Sequence, residues 1–336
     1  MTAPAPLPAP FGGQPFRVCA ALRAGVTAGR LRSGDLQAPF RGVRAPARVA
    51  GPTDGSAQRT SMGDPSLLPV AEQRATADER LRATAAAYAL LMPAHHVFGG
   101  VTAARLWGLP LPAALEQEEA LVIARPNGST RGRARGTRHV AFDAARLRVT
   151  ELEGLRLLTP LATTLMLARD LEHERLVHVV DALLTPSTRY PGLRLPRRPQ
   201  VTREALRRML GDAKSLRGAG ALRAALADAR VGVDSRFESI ARRTIVLAGL
   251  PEPAVHPLVV IDGMRLRPDL GYPELKIAIE YEGEGHLSPK QWAIDIDRYE
   301  RLEAAGWIVV RITKAHLARA GASCVRRVRA AIARRS

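Results

Sequence analysis

The chain has 336 residues, and its 50 Lys and Arg against 32 Asp and Glu give a formal net charge of +18. This charge favours a polyanionic partner, DNA first, although abundant Arg and Ala are also what a GC-rich coding sequence produces. The two cysteines exclude a disulfide framework and a structural zinc site and fit a cytoplasmic protein; the length predicts two or three domains, and no apolar run of about 18 residues predicts a membrane span.

Residues 1–15 are rich in proline and lack the basic start and apolar core of a signal peptide, so they are predicted to be a flexible leader. Residues 16–50 follow the order helix, glycine turn, helix and strand. Gly25 stops the first helix and Thr27 caps the second, which predicts a winged helix-turn-helix segment, although an ordinary helical hairpin fits the same residues. The arginines expected to contact DNA phosphates are Arg30, Arg32 and Arg41.

Residues 51–78 are rich in Pro, Gly, Ser and Thr and are predicted to be a linker. A mainly helical middle domain is expected over residues 79–230. Within it, two short apolar runs predict strands on either side of a basic loop, residues 125–138. That loop is interpreted either as a hairpin tip that contacts phosphates or as a solvated charged loop.

Two adjacent histidines, His95 and His96, precede the next predicted helix of the middle domain. Neighbouring side chains diverge on any regular element, so a metal site shared by the pair is not expected. Packing of this segment and the following turn at Trp107 into a core explains the pattern better.

Residues 234–336 predict an α/β (α+β) domain whose mixed sheet is flanked by helices. Ser235 is expected to cap an amphipathic helix that ends at Gly249. Three short strands, a helix, a strand and a basic helix follow, and the Asp-Gly pair at 262–263 predicts a hairpin. The fourth strand contains consecutive valines, which is typical of a strand covered on both faces.

Three carboxylates are expected to meet on two adjacent strands of this domain. Glu280 and Glu282 alternate onto one face of the second strand, and pairing of the strands would bring Asp269 beside them. Such a cluster repels itself unless protons or a cation neutralise it, and oxygen-only ligands suit Mg²⁺ or Mn²⁺. The sequence therefore predicts a metal site made by Asp269, Glu280 and Glu282, unless these side chains simply lie on a solvated sheet face.

Two further residues complete the predicted site. His286, beyond a glycine-containing turn, is expected to act as a base or to donate to phosphate near neutral pH. Glu238, in the first turn of the preceding helix, is expected to add another carboxylate.

Residues 234 to 318 resemble the Vsr-like branch of the PD-(D/E)xK endonuclease superfamily. The motifs that carry the resemblance are the helix bearing Glu238, Arg267-Pro268-Asp269-Leu270, Ile279-Glu280-Tyr281-Glu282-Gly283, His286, and Asp295-x-x-Arg298 followed by Leu302, Gly306-Trp307 and Arg311. The resemblance implies a central mixed sheet flanked by helices and Mg²⁺-dependent endonucleolytic cleavage by Asp269, Glu280, Glu282 and His286, with Arg298 contacting DNA.

One departure from the superfamily pattern concerns the residue two positions after Glu280. Glu282 stands where the superfamily has a lysine, and Lys276, expected on the same strand face, is a candidate to supply the missing charge.

The N-terminal and middle regions are similar to AbiEi-type antitoxins. The residues that carry this second resemblance are Ala24-Gly25-Val26-Thr27, Phe40-Arg41-Gly42-Val43, Thr102 to Pro110 and Leu158-Thr159-Pro160, with Arg44 where that family's wing commonly has Tyr.

The sequence thus predicts a DNA-binding protein with a Mg²⁺-dependent endonuclease domain that nicks phosphodiester bonds. The alternatives are a non-catalytic antitoxin-like regulator with an inactive nuclease fold, and a module that binds a protein partner, such as a toxin. The sequence leaves the oligomeric state open.

Overall fold

The computed structural model describes residues 4–47, 70–132, 134–212, 215–283 and 289–335. The chain divides into two compact units. The first comprises Met1–Leu106 and Ala113–Thr163, and the second comprises Trp107–Pro112 and Thr164–Ser336. In the described part of the chain, no helix combines the length and apolar content that crossing a bilayer requires.

The first unit contains two sheets, one long helix and several short ones. Its elements are β1 (Phe16–Arg17), α1 (Val18–Arg23), β2 (Leu36–Gln37), β3 (Val43–Pro46), α2 (Val70–Ala89), β4 (Val97–Phe98), α3 (Gly100–Trp107), α4 (Ala113–Glu116), β5 (Leu121–Pro126), β6 (Thr137–Phe142), β7 (Val149–Leu152) and β8 (Leu155–Leu158). One sheet has the strand order β1-β3-β2 and the other β6-β5-β4-β8-β7.

The N-terminal segment differs from the predicted winged helix-turn-helix. Where a second helix was expected, the chain makes only one 3₁₀ turn, Arg30–Arg32. The predicted flexible leader also contributes to a small core, because the Phe11 ring lies 5.1 Å from the Phe16 ring and packs with Leu31. A single turn is too short to lie in a groove as a recognition helix, so this expectation is corrected.

The middle region is mainly helical, as predicted, but it also contains a five-stranded sheet. The two predicted strands are present as β5 and β6, but they pair in parallel, so the basic loop 125–138 is not the tip of a hairpin. β5 is buried over Leu121–Ala124, which fits a central strand covered on both faces. Apolar patterning predicts a strand but does not set its direction relative to its neighbour, which explains the error.

The second unit is a helical layer followed by an α/β sheet. Its elements are α5 (Pro160–Leu167), α6 (His173–Leu184), α7 (Arg203–Asp212), α8 (Ala219–Asp228), α9 (Arg236–Leu247), β9 (Ala254–Val255), β10 (Val259–Ile261), β11 (Met264–Leu266), β12 (Leu270–Tyr272), β13 (Ile277–Glu282), α10 (Pro289–Ala304), β14 (Ile308–Thr313), α11 (Lys314–Leu317) and α12 (Ala322–Ala333).

The sheet of the second unit has the order β14-β13-β12-β9. β13 and β14 are parallel and the other neighbours are antiparallel. One face packs against α9 and α12 through a cluster that includes Ile277, Ile279 and Val328. On the other face Ala278 packs with Leu302 of α10 and with the β10–β11 hairpin. The predicted α/β fold, with a mixed sheet flanked by helices, is confirmed.

A buried ion network joins the helices of the second unit. Asp181 of α6 and Arg242 of α9 are fully buried and their side chains lie 3.0 Å apart. Asp181 also accepts hydrogen bonds from the Ser239 hydroxyl (2.8 Å) and the Arg230 backbone amide (2.7 Å). Arg242 additionally contacts Glu252 at 2.6 Å. The compact unit therefore begins well before residue 234, where the C-terminal domain was predicted to start.

Candidate functional site

Strand register brings Asp269 beside Glu280. β12 and β13 are antiparallel with Leu270 opposite Ile279, so the residue before β12 stands opposite Glu280. Oδ2 of Asp269 accepts a hydrogen bond from the Tyr281 backbone amide at 2.7 Å. The Asp269 carbonyl accepts another from the His256 amide at 3.1 Å. The Asp269 side chain is therefore held against β13, as the alternation of the two strands predicted.

Glu280 is buried in the middle of this face, with 1% of its surface exposed. Oε2 accepts a hydrogen bond from Nη2 of Arg298 at 2.9 Å. Arg298 reaches it because α10 packs on this side of the sheet, with Leu302 one turn further along. Within the described residues, the other oxygen, Oε1, has no hydrogen-bond partner. A buried carboxylate oxygen without a partner is costly and marks a place for a proton or a cation.

Burial and a neighbouring carboxylate raise the proton affinity of each of these two carboxyl groups. Burial, and then the charge of Asp269, raise the pKa of Glu280 to about 8, although Arg298 opposes the change. Burial and the charge of Glu238 raise the pKa of Asp269 to about 6. Both changes have the direction expected for carboxylates that share a desolvated site. The pair therefore binds a proton tightly in the absence of another positive charge.

Glu238 lies at the edge of this site and is bound to a histidine that the sequence analysis did not identify. Oε2 of Glu238 accepts a hydrogen bond from the Asp234 amide at 2.9 Å and lies 3.1 Å from Nε2 of His256. Burial acts to lower the pKa of His256, but the Glu238 hydrogen bond and nearby carboxylates outweigh it, so this pKa is raised. His256 precedes a proline in an irregular segment, where the sequence gives no periodicity that could reveal its partner.

Glu282 and Lys276 each contact a group other than Glu280. Glu282 forms an ion pair with Arg311 of β14; Arg311 is exposed and Glu282 is partly exposed. Lys276 precedes β13 and its ammonium donates to the Ala305 carbonyl at 3.2 Å. The positive charge beside Glu280 thus comes from Arg298 rather than from Lys276, because α10 crosses this face of the sheet.

The described residues contain no group of three or more Asp, Glu, His or Cys side chains arranged to hold one metal ion. Asp269 and Glu280 alone offer an oxygen-only donor pair, and the free Oε1 of Glu280 suits a hard cation such as Mg²⁺. His286 lies outside the described residues.

The arginines predicted to contact DNA fall into two groups. Arg30 makes a two-pronged pair with Asp35, at 2.9 and 2.7 Å, and Nε donates to the Ala5 carbonyl. Arg32 and Arg41 are exposed. The guanidinium of Arg298 is engaged with Glu280, as described above.

Comparison with known proteins gives two curated relatives, both from Mycobacterium tuberculosis and both described as uncharacterized proteins. Each is 28% identical over 167 residues, which amount to 49% of this chain. The chain spans 57% of the length of each of these relatives. No protein-family model matches the chain. No solved structure matches it significantly either.

Proposed function

We propose that the second unit is a Mg²⁺- or Mn²⁺-dependent endonuclease domain that hydrolyses DNA phosphodiester bonds. One observation carries the proposal: the buried Oε1 of Glu280, which has no partner among the described residues, stands beside Asp269 on the neighbouring strand. The two carboxyl groups also have raised pKa values, and a bound cation would lower them by stabilising the carboxylate form. The net charge of +18 supports a polyanionic substrate.

In this proposal Asp269 and Glu280 would hold the ion, which when bound supplies positive charge to the phosphodiester. The Tyr281 amide fixes Oδ2 of Asp269, and Arg298 fixes Oε2 of Glu280, which leaves Oε1 directed into the site. His256 holds Glu238 beside the pair and can accept or release a proton there.

The experiment is a plasmid nicking assay with purified protein, with Mg²⁺, with Mn²⁺ and with EDTA. The expected result is metal-dependent nicking that Asp269→Asn and Glu280→Gln abolish. Glu300→Gln is the matched control, because Glu300 is an exposed carboxylate on α10. Binding of DNA with no cutting in either Mg²⁺ or Mn²⁺ would exclude the enzyme proposal.

A second candidate is a non-catalytic, antitoxin-like regulator that binds DNA and a protein partner of the toxin type. The ion pairs of Glu280 with Arg298 and of Glu282 with Arg311 favour it, because they neutralise carboxylates without a metal. In a mobility-shift assay this candidate predicts specific DNA binding that needs no divalent cation and that survives Asp269→Asn. Metal-dependent nicking would exclude it.

A further inference from the structure

Three basic side chains of the first unit lie together on one face of its larger sheet. In the antiparallel pair of β4 and β5, Val97 is opposite Ala124, which places His96 opposite Arg125. In the parallel pair of β5 and β6, His139 is opposite Ile123, two residues from Arg125 and on the same face. The rings of His96 and His139 are 5.6 Å apart and nearly perpendicular.

These side chains carry four buried nitrogen atoms that lack hydrogen-bond partners among the described residues: Nδ1 and Nε2 of His96, Nε of Arg125 and Nδ1 of His139. His96 is 1% exposed, whereas Arg125 and His139 are partly exposed. Buried polar atoms are nearly always paired, with protein, water or a ligand. The Thr130 carbonyl acts on the His96 ring, and the other atoms mark a place for water or a ligand among the described residues.

The surrounding charge decides which kind of ligand fits. The charged groups that act on the two histidines are His95, Arg125 and Arg131, all of them basic. Burial has the largest effect and lowers the pKa of both His96 and His139. The basic neighbours lower both pKa values further. The Thr130 carbonyl only partly offsets the change at His96. A cation is repelled here, and an anion with several acceptor oxygens is attracted.

The loop before β6 closes against this cluster. A Cβ on Gly132 would lie 2.8 Å from Cε1 and Nε2 of His139. Arg125 also donates to the Ser129 carbonyl, which ties the start of the same loop to the cluster. Gly132 and Ser129 therefore lie against the site.

We propose that His96, Arg125 and His139 form a binding site for a phosphate group, which is independent of the carboxylate site in the second unit. Arg125 provides the fixed positive charge, and the ring nitrogens of the two histidines provide directed hydrogen bonds. The phosphate belongs either to a free phosphate or to the end of a nucleic-acid strand.

The test is calorimetric titration of the full chain with inorganic phosphate, with the pH and the ionic strength held constant. We expect saturable binding. Arg125→Met and His96→Phe should each weaken it by at least about tenfold, the loss expected for a charge-assisted hydrogen bond. If His96→Phe does not fold, phosphate binding is measured with His139→Asn in its place. The matched control is Arg135→Met, because Arg135 is exposed on the same loop and should leave the affinity unchanged.

A second pair of probes distinguishes the sources. A single-stranded oligonucleotide with a 5′-phosphate is compared with the same strand carrying a 5′-hydroxyl. Tighter binding of the phosphorylated strand, lost in Arg125→Met, supports a strand end as the ligand. Binding of inorganic phosphate with equal binding of the two strands supports a free phosphate. The proposal is overturned if phosphate does not bind, or if it binds equally to the unaltered chain and to Arg125→Met.

Discussion

Replacement of Glu280 by Gln is expected to change how the free energy of unfolding depends on pH. In the folded chain the pKa of Glu280 is raised from 4.5 to about 8 by burial and by the charge of Asp269. The folded chain binds this proton more tightly than the unfolded chain does. The protonated Glu280 therefore adds to the free energy of unfolding below about pH 4.5, and this stabilisation is lost as the pH rises through about 8.

The size of the effect follows from the displacement of the pKa. One pKa unit corresponds to about 1.4 kcal/mol, so a rise from 4.5 to about 8 corresponds to a loss on the order of 5 kcal/mol of folding free energy. Asp269 and Glu280 titrate together, so the loss belongs to the pair. His256, whose pKa is also raised, acts in the same direction in both proteins, so it largely cancels in the difference between them.

The assay is urea denaturation in EDTA at several values between about pH 5 and pH 8. The unaltered chain should lose stability across this range, and Glu280→Gln should lose less and be the more stable protein at the upper end. Mg²⁺ added at about pH 8 should stabilise the unaltered chain and the Glu300→Gln control but not Glu280→Gln. Equal losses in the unaltered chain and in Glu280→Gln would refute the reasoning about this carboxyl group.

Three further predictions concern other parts of the second unit. Arg242→Met should destabilise the fold by about 3 to 5 kcal/mol in urea denaturation, because it leaves Asp181 buried without its cation. This explanation is wrong if the double variant with Asp181→Asn loses as much free energy of unfolding as Arg242→Met does. Gly108→Ala should cost more stability than Gly192→Ala, since both have positive φ but only a Cβ at 108 would collide with backbone, 1.8 Å from the Gly192 carbonyl oxygen; equal melting temperatures would count against the collision. His256→Gln should lower the affinity for Mg²⁺ measured by calorimetry, because it removes the side chain that holds Glu238 beside Asp269; an unchanged affinity would show that Glu238 needs no such support.

The pairing of Asp269 with Glu280 could be predicted from the sequence because both determinants are local. A turn between two short strands and the alternation of side chains are enough to place the two residues on one face. The cap at Ser235 is local in the same way, and the side chain does accept the Glu238 amide at 3.2 Å.

Contacts between elements distant in the sequence could not be predicted. Arg298 meets Glu280 only because α10 packs across the sheet, and the charge that Lys276 was expected to supply comes from there. The residues around His256 show no periodicity that would predict its contact with Glu238. The parallel pairing of β5 with β6 depends on tertiary packing, which a strand's own residues do not encode.

The contact between Asp181 and Arg242 has a consequence for how this protein can be divided. A fragment that begins at residue 234 would contain Arg242 but neither Asp181 nor the Asp228 carbonyl, to which Nη1 of Arg242 donates at 3.0 Å. The helix that carries Glu238 would then display a guanidinium whose remaining partner is the partly exposed Glu252, on the surface that packs against α6. A stable fragment of this unit is therefore expected to begin before α6, so that Arg242 keeps both Asp181 and the Asp228 carbonyl.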